Sequence, residues 1–210
     1  MRDRMNAAVI IDNRMSSQEL DACIDRHMPC LPNWQLIVKR PLHLRTGHDY
    51  NRIMTSVPFW REMCNYERVL IFQHDSGLLR EGIDEFLQWD YVGAPWRVDM
   101  NWARADRKGG NGGLSLRNPK KALNLIERRS YDARYGNEDV FFVHHLEEVG
   151  AKVAPYEVCT RFSVESEFQL DTFGYHAIDQ HLSEGECDTI RNQRTGSGPK
   201  GIQGRQRDSS

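Results

Sequence analysis

Short apolar runs that end in polar residues recur along the chain, and they constrain its fold more than any other feature. Ala7–Ile11 ends at Asp12, and Val69–Phe72 ends at the polar cluster 73–77, whose last residue is a glycine. Apolar runs of this length are typical of strands buried on both faces of a mostly parallel sheet. Helical patterns alternate with these runs, so the sequence predicts an α/β fold.

Local signals place the other elements. Ser16 and Glu19 have capping-box spacing before one helix, and Asn118 with Pro119 favours the start of another. Strands are predicted at 34–38, 91–94 and 114–116, two short helices or one kinked helix at 50–66, and further helices at 81–89 and 138–149. We expect a single domain over residues 1–183 and, from its Gly, Ser, Gln and Arg content, a disordered polar tail over residues 184–210.

Charge and cysteine content argue against several classes of partner. The 28 basic and 30 acidic residues nearly cancel, so no field would gather nucleic acid. The five cysteines are dispersed and contain no C-x-x-C pair, which predicts reduced thiols in a cytoplasmic protein rather than a disulfide scaffold or zinc ribbon. The apolar run near the start is too short for a signal-peptide core or a membrane span, so no integral membrane segment is expected.

Asp75, in the polar cluster after Val69–Phe72, is the first candidate for chemistry. Ligands of open α/β sheets gather beyond the carboxyl ends of the strands. A carboxylate at that edge can hold Mg²⁺ or Mn²⁺ against a diphosphate. An aspartate after a strand also serves as a turn or cap residue, so its position alone leaves both interpretations open.

Three further features have a functional and a structural interpretation each. The glycine-rich stretch 109–113 permits close backbone approach to a ligand but lacks the Lys-Ser/Thr of a phosphate loop, and it could be a flexible loop. Glu138 and Asp139 open an apolar helix, where acids complement the helix dipole or provide a positioned general base. His176 is either a metal ligand or a hydrogen-bonded histidine.

Taken together and in order, these segments resemble the glycosyltransferase-A fold, and in particular a family of glycosyltransferase-like proteins catalogued as a domain of unknown function. The resemblance covers roughly residues 6–182 and is carried by the segments 50–51, 55–56, 59–60, 70–76, 90–96, 110–116, 138–141, 162–165 and 173–176. It implies a Rossmann-like, mixed and mostly parallel central sheet flanked by helices.

The resemblance also implies an activity: transfer of a sugar from a nucleoside-diphosphate sugar to a hydroxyl acceptor, either a glycan or a small molecule. The implied cofactor is Mn²⁺ or Mg²⁺, held by Asp75 and His176, although Gln73 and Gly77 leave one carboxylate where the family motif has two. Asp139 is the implied catalytic carboxylate, with Glu138 beside it. The implied donor-binding residues are Asp12, Arg14, Gln73, Asp75 and Ser76, and the implied sugar or acceptor loop contains Trp96, Gly110, Asn111, Gly112 and Gly113.

Two other functions remain open at this point. A non-catalytic, glycosyltransferase-like carbohydrate-binding protein is consistent with the single carboxylate at Asp75. A metal-dependent phosphodiesterase would use Asp75, His176 and Glu138 around a bound ion. The loop 96–108, which contains Trp96 and Trp102, is either an acceptor-binding loop, since aromatic faces stack on sugars, or a surface loop. Sequence does not decide between inversion and retention at the sugar.

Overall fold

The structure, a computed structural model, describes residues 5–193. The strands in that range are β1 Ala7–Ile11, β2 Gln35–Lys39, β3 Val69–Phe72, β4 Ser76–Leu78, β5 Tyr91–Gly93, β6 Leu114–Arg117, β7 Ser163–Val164 and β8 Gly174–His176. The α-helices there are α1 Ser17–His27, α2 Gly47–Met54, α3 Val57–Met63, α4 Pro119–Arg128, α5 Glu138–His145, α6 Tyr156–Phe162 and α7 Glu184–Asn192.

A central sheet of five strands has the order β2-β1-β3-β6-β5. β1 runs parallel to β2 and β3, whereas β6 runs antiparallel to both β3 and β5. Four strands therefore point the same way and β6 opposes them. Because Phe72 at the end of β3 pairs with Leu114 at the start of β6, the glycine-rich stretch before β6 lies at the edge where β1 and β3 end.

Alternate residues of the central strands pack on opposite faces of the sheet, as the period of two of a strand requires. Val9 and Ile71 join a core with residues of α2, α3, α4 and α5. Ile10 and Leu70 join a second core with residues of α1 and α6. The sheet is thus the middle of three layers, which is why its inner strands read as continuous apolar runs.

A second sheet of three strands has the order β4-β8-β7, and β4 begins within the polar cluster after β3. Its register pairs Ser76 of β4 with His176 of β8, and the amide N–H of Ala177 donates to the carbonyl of Asp75 over 3.1 Å. Two segments a hundred residues apart are thereby fixed side by side at the edge of the central sheet.

The predicted α/β class is confirmed, and the structure adjusts several elements. The pattern at 50–66 forms two helices, because Pro58 lies in the first turn of α3 and so belongs to a new helix start. The region 81–89 contains only a short 3₁₀ turn, Ile83–Phe86. The helix predicted at 138–149 ends as an α-helix at His145 and continues as the 3₁₀ turn Leu146–Val149.

The prediction of a disordered tail is wrong for residues 184–193. Ser183 and Glu186 form a capping box that starts α7, and Cys187 and Ile190 are buried against Leu79, Val164 and Ile178. The polar composition gave no indication of this helix. Two apolar residues three positions apart are enough to form one buried face, and they change the composition little. The rest of the predicted tail, 194–210, lies outside the described residues.

No helix within residues 5–193 combines the length and apolar character needed to cross a membrane. In the part of the chain that the structure describes, none of the five cysteines forms a disulfide.

We expect Ile190→Ala to lower the free energy of unfolding by about 2–5 kcal/mol, since it removes a fully buried side chain and leaves a cavity. Urea unfolding measures this change, and Asp188→Ala on the exposed face of α7 is the matched control. A loss no larger than that of the control would mean that α7 does not pack as described.

Candidate active site

A cavity of about 220 Å³ lies at the edge where β1 and β3 end, and we call it the central cavity. Its walls come from the ends of β1 and β3, from α2, from the glycine-rich stretch, from the start of α5 and from β8. The lining residues are Ile11, Asp12, Arg14, Leu44, Gly47, Tyr50, Asn51, Gln73, His74, Asn111, Gly113, Asn137, Glu138, Asp139 and His176. Segments that are remote in sequence therefore supply a common polar site.

Asp139 is the buried carboxylate of this cavity that is best suited to proton transfer. It lies in the first turn of α5 and is 8% exposed. Its Oδ2 accepts a hydrogen bond of 3.1 Å from the amide of Gly112, and its Oδ1 accepts one of 2.8 Å from the amide of Val140. Burial, with the nearby charge of Glu138, raises the pKa of Asp139 to about 7. A carboxyl group with this pKa can take or release a proton near neutral pH.

Glu138 has a different environment, although it is the neighbour of Asp139. Its Oε2 and Oε1 accept hydrogen bonds of 2.6 and 2.8 Å from Nη1 and Nη2 of Arg117. Both side chains are at most 2% exposed, and the guanidinium lies 5.0 Å from the ring centroids of Tyr91 and Phe142. Both carboxylate oxygens of Glu138 are thus engaged by a fixed bidentate partner.

The side chain of Asn51, in α2, forms hydrogen bonds to the start of α5. Its Oδ1 accepts a hydrogen bond of 3.3 Å from the amide of Glu138, and its Nδ2 donates to Oδ1 of Asn137 over 3.1 Å. The first amides of a helix have no intrahelical partner, so Asn51 satisfies one of them from outside the helix. The first turn of α5 is therefore held in place by both α2 and β6.

Asp12 directly follows β1 and makes contacts at both of its carboxylate oxygens. Oδ1 accepts hydrogen bonds from the amides of Arg14 and Met15, which stabilises the turn into α1. Oδ2 lies 3.1 Å from Nδ1 of His74. Asp12 is thus a turn residue that also faces the polar cluster after β3.

His176 lies between two carboxylates. Its Nδ1 is 3.2 Å from Oε1 of Glu165, and its Nε2 is 2.9 Å from Oε1 of Gln73 and 3.3 Å from Oδ1 of Asp75. Burial alone would lower the pKa of His176, but the carboxylates of Asp75 and Glu165 raise it to about 9. Burial would in turn raise the pKa of Asp75, but the imidazoles of His176 and His74 lower it.

The glycines before β6 pack against the side chains of the site itself. A Cβ atom on Gly113 would overlap the ring of His176, and one on Gly112 would overlap the carboxylate of Glu138. Gly110 has a φ of 142° and lies against the backbone of Ala94. The lack of side chains in this stretch therefore allows β6, α5 and β8 to converge.

The structure brings most, but not all, of the predicted site residues together. The central cavity takes in Asp12, Arg14, Gln73, Asn111, Gly113, Glu138, Asp139 and His176. Asp75 and Ser76 line a neighbouring cavity of about 370 Å³, and His74 lines both. Gly110 and Gly112 are buried and are not in the lining of either cavity. Trp96 is buried in the core at 6% exposure, so an acceptor contact by Trp96 is not supported by its position.

Three polar residues of the site escaped prediction from sequence: Asn51, Arg117 and Glu165. Arg117 had a usable signal, because it follows Leu114-Ser115-Leu116 in a strand buried on both faces and a buried arginine requires an anionic partner. Asn51 and Glu165 lie in segments that carry the family resemblance, but their partners are distant in sequence, so the sequence assigned neither of them a role.

Within residues 5–193, no three His, Cys, Asp or Glu residues form a group that could hold a metal ion. The buried hydroxyl of Tyr50, which lines the cavity, makes no hydrogen bond within that range. Buried polar groups are normally satisfied, so this hydroxyl indicates a place for a ligand.

We expect Asp139→Asn to change how stability depends on pH. The pKa of Asp139 is about 7 in the folded protein and about 3.9 in an unfolded chain. The folded state therefore binds the proton more tightly, and this carboxyl lowers the free energy of unfolding as pH rises from about 4 to about 7. Relative to wild type, Asp139→Asn should gain stability over that range and keep the gain above it.

Urea unfolding at about pH 5 and about pH 8 measures this difference. Asp188→Asn, which alters an exposed carboxylate of α7, is the matched control. The same pH dependence in wild type and Asp139→Asn would contradict a raised pKa at Asp139.

Comparison with solved structures relates the fold to glycosyltransferases. The crystal structure of a glycosyltransferase involved in the glycosylation of the major capsid of PBCV-1 has a TM-score of 0.50 at 10% identity, covering 88% of this chain and 98% of that one. At this identity the likeness concerns the fold, which is glycosyltransferase-A-like, as predicted.

Two further solved structures are similar. A197 from STIV gives a TM-score of 0.45 at 15% identity, covering 68% of this chain and 78% of that one. The bifunctional glycosyltransferase WbbM gives 0.42 at 11% identity, covering 92% of this chain and 45% of that one.

The search of curated proteins finds no match to this chain. Residues 35–176 match a family model described as "Protein of unknown function (DUF5672)". This match spans more than half of the chain and includes Asp75, Asp139 and His176. The chain therefore belongs to the DUF5672 family.

Proposed function

We propose that this protein is a glycosyltransferase that transfers a sugar from a nucleoside-diphosphate sugar to a hydroxyl acceptor. The observation that carries the proposal is the placement of Asp139, a buried carboxyl group with a pKa near 7, in the wall of a polar cavity at the carboxyl ends of β1 and β3. That edge is where open α/β sheets bind ligands. The glycosyltransferase-A-like fold supports the same activity.

Asp139 is the proposed base. In an inverting reaction, the acceptor oxygen forms a bond to the anomeric carbon while the bond from that carbon to the diphosphate breaks. The diphosphate leaves with the electron pair, and the proton of the acceptor hydroxyl passes to the Asp139 carboxylate. The amide of Gly112 holds Oδ2 of this carboxylate in place. In a retaining reaction, Asp139 would orient the acceptor instead.

Glu138 is proposed as a positioning residue and not as a second base. Both of its oxygens accept hydrogen bonds from the charged guanidinium of Arg117, which fixes the orientation of this carboxylate. Its negative charge contributes to the raised pKa of Asp139. The two adjacent acids thus have separate roles that follow from their different partners.

Asp75 and His176 are proposed to hold Mn²⁺ or Mg²⁺ together with the donor diphosphate. Their facing atoms, Oδ1 and Nε2, are 3.3 Å apart, close to the separation of about 3 Å expected for two ligands each about 2.1 Å from one ion. Glu165 faces the other ring nitrogen of His176, as outer-sphere carboxylates commonly do. A divalent ion bound here, with phosphate and water as its remaining ligands, would displace the proton that the raised pKa of His176 keeps on the imidazole.

The ion would supply positive charge to the leaving diphosphate. Asp12, Arg14, Gln73 and Ser76 remain the proposed donor-binding residues around it, and Arg14 offers a second positive charge at the end of β1. A metal-dependent phosphodiesterase is less well supported, because such enzymes usually surround their ions with denser ligand clusters than Asp75 and His176 form within residues 5–193.

A donor screen tests the proposal directly. Uridine-, guanosine- and cytidine-diphosphate sugars are incubated with the protein, with and without Mn²⁺, and binding and release of nucleoside diphosphate are measured. Asp139→Asn should bind the donor as wild type does but lower the rate of transfer by about 10²–10⁴-fold. Asp188→Asn should leave both unchanged. Unchanged transfer in Asp139→Asn would remove this residue from catalysis, and failure of every donor to bind would refute the proposed function.

Asp75→Ala is expected to weaken donor and metal binding together. Loss of a direct ligand should raise the dissociation constant for uridine diphosphate in the presence of Mn²⁺ by at least about tenfold, with little change when Mn²⁺ is absent. Calorimetric titration measures both constants, and Asp84→Ala, an exposed carboxylate between β4 and β5, is the control. Equal affinities with and without the Asp75 carboxylate would contradict the metal site.

A further inference from the structure

A third and larger cavity, of about 710 Å³, lies along α5, and we call it the α5 cavity. Its volume is within the range of about 300–1,000 Å³ typical of sites for small organic ligands. The lining residues are Asn101, Trp102, Arg129, Ser130, Tyr131, Asp132, Arg134, Gly136, Asn137, Val140, Phe141, His144 and His145. None of the residues placed in catalysis or metal binding above belongs to this set.

The α5 cavity adjoins the central cavity at one residue. Asn137 lines both, and it immediately precedes Glu138 and Asp139. One turn further along, Val140 and Phe141 line the α5 cavity while Asp139 lines the central one. A ligand that fills the α5 cavity and extends past Asn137 would therefore bring its end to Asp139.

The aromatic side chains of this cavity suit a sugar. Trp102 is 46% exposed, and Tyr131 and Phe141 form part of the same wall. An exposed indole presents a flat apolar face with one N–H donor, which complements the C–H face of a pyranose and a neighbouring hydroxyl. Amide groups of Asn101 and Asn137 supply donors and acceptors beside it.

The loop that carries Trp102 is attached to α5. Nε2 of His144 lies 2.8 Å from the carbonyl oxygen of Trp102, and Nη1 of Arg104 donates to the carbonyl of Val143 over 3.1 Å. Arg104 also forms an ion pair of 2.8 Å with Glu147. Trp102 is thus presented by a segment held to the same helix that positions Asp139, so little ordering of the loop is needed on binding.

The arginines of the cavity lining are paired with carboxylates at the surface. Arg134 forms an ion pair with Asp132, and Arg129 lies 3.5 Å from a carboxylate oxygen of Glu148. Each arginine of the lining thus already has an anionic neighbour. A hydroxyl-rich neutral ligand can therefore bind without displacing these carboxylates.

We propose that the α5 cavity binds a neutral oligosaccharide, the acceptor of the transfer reaction, with Trp102 as the stacking platform. The identification of this ligand as the acceptor rests on the proposed function, whereas saccharide binding itself does not require turnover. Trp102, and not the buried Trp96, is therefore the aromatic residue assigned to the acceptor side.

Saturation-transfer NMR with maltotriose, cellotriose, chitotriose and mannotriose tests the proposal, each with and without uridine diphosphate and Mn²⁺. At least one trisaccharide should bind wild type. Trp102→Ala should weaken that binding at least about tenfold, the loss of about 1.4 kcal/mol, and Trp102→Phe should retain part of it. Trp34→Phe, on the opposite face of the sheet, is the matched control and should bind as wild type does.

Absence of binding by all four trisaccharides, or equal binding by wild type and Trp102→Ala, would overturn the assignment. Loss of uridine diphosphate binding in Trp102→Ala would also overturn it, because Trp102 would then support the fold. Saccharide binding without nucleotide binding would keep this inference and refute the transferase. Nucleotide binding and donor turnover without saccharide binding would keep the transferase and refute this inference.

Discussion

The buried ion pair between Arg117 and Glu138 is the contact on which the geometry of the site depends. It joins the last residue of β6 to the first residue of α5, with both side chains almost fully buried. Removing one partner of such a pair leaves an unpaired buried charge, at a cost of about 3–5 kcal/mol. The start of α5 is therefore fixed over the end of the central sheet, and Asp139 follows directly from it.

The small sheet has the same role on the other side of the central cavity. Pairing of β4 with β8 brings His176 beside Asp75, and Glu165, just after β7, faces the outer nitrogen of the imidazole. Gly113 permits this arrangement, because any side chain there would occupy the place of the His176 ring. Two polar clusters, each fixed by its own sheet, thus face the same space at the edge of β1 and β3.

Much of the fold could be predicted because its signals are local. The apolar runs of β1 and β3 and the capping box of α1 each depend on residues within a few positions. The predictions failed where a local pattern was weak but tertiary burial was strong. The α7 helix contributes Cys187 and Ile190 to a core supplied by other segments, and its polar composition concealed that contribution.

The sequence by itself determined the α/β class, the polar ends of the strands and the chemical types available there: Asp75, the pair Glu138 and Asp139, and His176. Only the tertiary structure decided which of these groups meet and in what state. Asp139 acquires its raised pKa from burial beside Glu138, and Glu138 is held by two hydrogen bonds from Arg117. The physical reason is that burial and charge act through space, between segments whose order along the chain does not reveal their distance.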